Sequence, residues 1–128
     1  MQPGTPAANG PGASVIAFPA QREIQGKVAQ VGFDRLELQR ILDLYGRMVA
    51  AGLWRDYAMD FGHEAASFSC FRRSSERPQA RIEKRPSLRG RQGMWTLFGE
   101  AGQVLKRGHE LGGVLFPLER RLLKLVED

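Results

Sequence analysis

The chain has 128 residues, a net charge of +5 and one cysteine, which leaves room for a single domain with one modest core. Cys70 alone cannot form an intrachain disulfide or a cysteine-ligated zinc cluster, and no apolar run approaches the ~20 residues that span a bilayer. A cytoplasmic setting is therefore expected, with Cys70 a buried structural thiol among Ala66, Phe68 and Phe71.

The chain opens on Pro3, Gly4, Pro6, Gly10, Pro11 and Gly12, with almost nothing apolar between them. Such sequence buries too little surface to offset its ordering entropy. Residues 15–18 are apolar but too few for a signal-peptide core. The expected organisation is a disordered tail over residues 1–27 and one domain over residues 28–128.

The first clear element starts at Asp34. Asp34 and Glu37 have the spacing of a capping box, and Phe33 and Leu38 that of a hydrophobic staple. Leu38, Ile41, Leu42, Tyr45, Met48 and Val49 then recur at helical spacing. Gly52 is placed to end the helix in a left-handed conformation. The pattern predicts a helix over residues 35–51.

After Gly52 the period becomes alternating. Strands are predicted over residues 54–60, 64–73 and 79–85, joined by turns at residues 60–63 and 74–78. In the second strand Ala66, Phe68 and Cys70 share one face; in the third Ala80 and Ile82 do, with Arg81, Glu83 and Arg85 opposite. A basic loop over residues 86–93 leads to a second hairpin, residues 94–98 and 103–107. The chain then returns to helix, with Leu111, Val114, Leu115, Leu118, Leu122 and Leu125 in one stripe. Pro117 is expected to kink or break that helix near Phe116, because its ring presses on the Gly113 carbonyl. Two helices with one apolar stripe each, and a sheet with one apolar face, predict an α+β two-layer domain. Its order is helix, antiparallel five-stranded meander, helix, with both helices on one sheet face.

Charge is concentrated rather than spread. Residues 72–107 hold ten cationic side chains against three glutamates, a net of +7, so the rest of the chain sums to −2. Arg73, Arg81 and Arg85 are expected to point outward beside Phe71, with Arg72, Lys84, Arg89 and Arg91 extending a basic face. Guanidinium groups at strand spacing can follow phosphates and an exposed aromatic can stack a base. Lys106, Arg107 and His109 lie where the last strand hands over to a helix, and free N–H groups there attract anions. The competing reading is a solvated face whose charges pair locally.

Catalytic and metal signatures do not support an enzyme. Gly-His-Glu occurs at residues 62–64 and 108–110, but adjacent strand side chains point to opposite faces and cannot readily share an ion. No nucleotide loop or nucleophile elbow is present. Asp56 and Asp60 would lie roughly 13 Å apart along a strand, too far to act together on one bond. The expectation is a binding or regulatory module with no cofactor and no membrane association. RNA or DNA is the favoured partner and an acidic protein surface the alternative.

Several strings carry a family resemblance: Phe33-Asp34-Arg35 with Glu37-Leu38, the run from Tyr45 to Gly52, Trp54-Arg55-Asp56-Tyr57, Phe71-Arg72-Arg73, the run from Arg81 to Pro86, and Leu105-Lys106-Arg107-Gly108-His109. Together they resemble the small alphaproteobacterial family known as domain of unknown function 2794, over residues 33 to about 119. Pro117 departs from the charged or apolar residues of that family at its place. The resemblance implies a bacterial cytosolic protein and carries no activity with it.

Overall fold

A computed structural model describes residues 30–73 and 77–127. The expected tail over residues 1–27 and most of the turn over residues 74–78 lie outside the described residues.

Helix α1, Arg35–Ala50, forms where the stripe and the caps agree. Asp34 Oδ1 accepts from the Glu37 N–H at 2.8 Å, and Glu37 Oε1 accepts from the Asp34 N–H at 2.8 Å, so the capping box is closed. The far end is a Schellman motif. Gly52 takes φ +81, its N–H donates to the Val49 carbonyl, and the Leu53 N–H reaches back to that of Met48.

Five strands follow: β1 Asp56–Phe61, β2 Ala66–Phe71, β3 Ala80–Lys84, β4 Trp95–Phe98 and β5 Val104–Gly108. They form one antiparallel meander in the order β1-β2-β3-β4-β5. Helix α2, Leu111–Glu127, closes the chain. This is the α+β two-layer arrangement that the residue periodicity predicts.

Register assigns the two faces. Tyr57 and Met59 of β1 align with Cys70 and Phe68 of β2; Phe68 aligns with Ile82, and Ile82 with Leu97. That face carries the core. Ile41, Leu44 and Met48 of α1 and Val114, Leu115, Leu118 and Leu122 of α2 bury against Phe68, Cys70, Ile82, Trp95 and Leu97. Tyr45 places α1 over the β1–β2 side through ring contacts with Tyr57 and Phe68. Helix α2 packs on β4 and β5. Between the helices, Arg40 of α1 meets Glu119 of α2 at 2.9 Å.

Of the kink or break expected near Phe116, the break is absent: α2 runs through Pro117. The proline lacks the N–H that would bond Gly113, and its ring crowds that carbonyl. Gly113 is exposed and has open space around its Cα, so water can reach the carbonyl left without a helical donor. Leu118 and Leu122 beyond the proline stay buried, which holds the second half of the helix on the sheet.

Removal of the cap in Asp34→Ala is expected to cost about 1 kcal/mol in urea melts. Ile41, 1% exposed in the core, should cost about 2–5 kcal/mol as Ile41→Ala. Equal, negligible effects would contradict this helix register.

Candidate nucleic-acid interface

The face of the sheet away from the helices carries three rows, fixed by register. One row is Ala58, Ser69, Arg81, Phe98 and Val104; the next is Asp60, Ser67, Glu83, Thr96 and Arg107. Asp56 and Phe71 pair at one end. Arg81, Arg107 and Phe71 therefore do share a face, but Asp56, Asp60 and Glu83 are set among them. The face is mixed in charge rather than uniformly basic. The acids concentrate on β1, and the arginines lie from β3 to β5.

Several contacts organise the basic half. The Arg81 guanidinium lies over the Phe98 ring, 4.4 Å from its centroid. Such a pair contributes about 0.5–1 kcal/mol at an exposed site. Arg107 crosses the surface, with Nε donating to Thr96 Oγ1 at 3.1 Å and a terminal nitrogen to Gln92 Oε1 at 2.7 Å. It covers Thr96, which is only 2% exposed. Arg85 donates to Glu83 at 3.4 Å and to Glu64 at 3.1 Å.

The remaining sequence-selected residues go elsewhere. Lys84 is on the helix side of β3, because strand alternation places it with Ala80 and Ile82. Its ammonium donates to Glu37 Oε1 at 2.7 Å and to the Gly32 carbonyl at 2.9 Å, beside the Trp95 ring. It is a structural charge and does not face an external anion. Arg72 and Arg73 follow β2 at one end of the sheet, where the Arg55 N–H bonds the Phe71 carbonyl. Arg89, Arg91 and His109 are exposed at the opposite end. Lys106 is exposed on the edge strand β5, aligned with Leu97. The expected patch is thus divided between the two ends of the sheet, with Arg81, Arg85 and Arg107 between them.

The loop carrying Arg89 and Arg91 is held by a close backbone approach. A 3-10 turn, Pro86–Leu88, starts it, and Gly93 ends it with φ +102. A Cβ at Gly93 would stand 2.3 Å from the Gly108 carbonyl carbon and oxygen. The glycine lets the loop lie against the β5–α2 junction, which brings the loop arginines to the same end as His109.

Phe98 is the residue that sequence reasoning missed. Once Trp95 and Leu97 are read as core residues, alternation alone sends Thr96 and Phe98 to the outer face. Cys70 is buried, and its burial pushes the thiol far above the ordinary range, so it stays protonated and inert. Burial, followed by the charge of Asp56, raises the Tyr45 phenol. Among the described residues no group of three or more His, Cys, Asp or Glu side chains could hold a metal ion. No described helix is long and apolar enough to cross a membrane.

The fold and this surface define a small α+β two-layer domain with an arginine- and aromatic-bearing open sheet face. The chain belongs to the protein family of unknown function DUF2794, whose model matches residues 31–115. No curated protein and no solved structure matches it. The family match covers α1, the whole sheet and the first turn of α2.

Gly93→Ala should lower stability by more than the ~1 kcal/mol of an ordinary glycine substitution, because both the positive φ and the Gly108 backbone oppose a side chain. Thermal melts would show it. An unchanged melting temperature would mean that the loop is not seated against Gly108.

Proposed function

We propose that the protein is a non-catalytic binding module for single-stranded nucleic acid, engaged on the outer sheet face between Phe71 and Phe98. The observation that carries this reading is the Arg81–Phe98 stack on an open sheet face, at 4.4 Å, with half-buried Phe71 diagonal to Arg81 one strand away. A planar guanidinium resting on an aromatic ring offers a flat surface on which a base can stack, whatever its identity. Phe71 supplies a second ring. The strand β3 between the two ends of the sheet is roughly 17 Å long by strand rise. Arg72 and Arg73 at one end and Arg89 and Arg91 at the other can then meet phosphates leaving the face on both sides.

The acids set the path. Asp56 and Asp60 repel a phosphate backbone from β1, so the strand crosses β2 to β5. Glu83 is partly neutralised by Arg85. Single strands fit better than duplex, because a flat face with stacking rings requires unpaired bases.

The test is fluorescence anisotropy with a labelled single-stranded RNA at several salt concentrations. Phe98→Ala and Phe71→Ala are each expected to weaken binding by about 1–3 kcal/mol without changing the salt slope. Arg81→Ala should lower the slope by about one phosphate contact. No binding at low salt would overturn the proposal. Binding that ignores both phenylalanines and tracks only total charge would also overturn it, and would favour an acidic protein partner.

A further inference from the structure

The sheet has a second exposed feature, on the edge opposite the basic half. Among the described residues β1 pairs with β2 alone. The Gly62 N–H donates to the Ala65 carbonyl at 2.9 Å, which sets the phase of the ladder. In an antiparallel pair, hydrogen-bonded positions alternate. Asp60, Ala58 and Asp56 therefore bond to β2, and the main-chain groups of Tyr57, Met59 and Phe61 point outward from the edge. The Tyr57 N–H is taken by its neighbour, Asp56 Oδ1, at 2.9 Å. Those of Met59 and Phe61 remain directed away from the sheet.

The two sides of this edge differ in chemistry. On the helix side, Tyr57 is 39% exposed and touches Tyr45 of α1. Leu42 and Val49 lie three and four residues from Tyr45 on that flank of α1, and they are 36% and 40% exposed. The opposite flank of α1 holds Arg40 and Arg47, which face Glu119 of α2. Leu42, Val49 and Tyr57 thus form an exposed apolar shoulder on the helix side of β1. On the other side of the edge stand Asp56 and Asp60, both exposed.

We propose that the open edge of β1 docks an extended protein segment in which apolar and basic residues alternate. Strand addition uses the outward main-chain groups for affinity, and alternate side chains for specificity. A residue placed opposite Met59 projects onto the apolar shoulder. Its neighbours in sequence project beside Asp60 and Ala58, where a lysine or arginine meets the acid. Charge complementarity selects this occupant. An acidic segment would be repelled by Asp56 and Asp60, and a wholly apolar one would bring no cation to either carboxylate. Asp56 and Asp60 also border the nucleic-acid path, and Asp56 pairs with Phe71, but the peptide test uses neither nucleic acid nor the phenylalanines, so either reading can fail without the other.

The probe is a fluorescein-labelled eight-residue peptide alternating lysine and valine, titrated against the full chain. A peptide alternating glutamate and valine is the control. The lysine peptide is expected to bind about ten-fold or more tightly than the control. Asp60→Lys and, separately, Val49→Glu should each remove about that advantage while the melting temperature holds. Both positions are exposed, so the fold does not depend on either side chain. N-methylation of the alternate amides facing β1 should abolish binding; N-methylation of the other set should leave it intact. Equal binding of the two peptides, or equal loss from both methylated sets, would overturn the proposal. So would a dimer of this chain that Asp60→Lys dissociates, since that would assign the edge to a second copy.

Discussion

One carboxylate sets the relation between the two layers. Glu37 Oε1 accepts from the Asp34 N–H, which closes the cap of α1, and from the Lys84 ammonium, which rises from the helix side of β3. Lys84 also holds the Gly32 carbonyl. The start of α1, the chain entering it and the centre of the sheet therefore meet at one point. The side chains are 12% and 17% exposed for Lys84 and Glu37, so the pair is largely removed from water. Removing one member of such a pair strands the other charge. Phe33 lies between Gly32 and the cap residue Asp34. Its ring stacks on Trp95 at 6.2 Å and meets the edge of Phe61 at 6.0 Å.

The position of α1 then determines what the outer face can be. With α1 and α2 both covering one side of the sheet, no helix or strand among the described residues lies above the other side. Its side chains satisfy one another laterally: Arg81 lies on Phe98, Arg107 on Thr96, and Arg85 on Glu83. Each of these contacts spans neighbouring strands or neighbouring positions, and each holds a long side chain flat. The result is a low, ordered surface with rings and guanidinium planes, bordered by acids along β1. The same placement of α1 leaves Leu42 and Val49 exposed on the flank whose Tyr45 meets Tyr57 of β1. Both proposed binding surfaces are thus consequences of one docking geometry.

Much of this was legible in the sequence. The capping box at Asp34 and Glu37, the glycine stop at Gly52 and the alternation through Ala66, Phe68 and Cys70 are local signals, and each reports its own element. Strand faces in β3 followed equally directly from Ala80 and Ile82. Lys84 was harder, because in sequence it is one more cation in a basic run. Only the third dimension brings Glu37 to it from 47 positions away. The mixed charge of the outer face was hidden for the same reason: Asp56 and Asp60 precede the basic stretch in sequence and join it through β1–β2 pairing. At Pro117 a local rule predicts a kink or a break; the helix continues without a break, with Leu118 and Leu122 buried against the sheet.

The most direct test is a double-mutant cycle on Glu37 and Lys84, read from urea melts. Glu37→Gln keeps a side chain able to close the capping box, and Lys84→Met keeps the apolar stem, so the cycle isolates the contact between them. Each single substitution is expected to cost about 2–4 kcal/mol, and the double little more than either one, giving a coupling of about 1.5–3 kcal/mol. A coupling under about 0.5 kcal/mol, with additive single effects, would contradict the account. It would mean that α1 is held on the sheet by apolar packing alone.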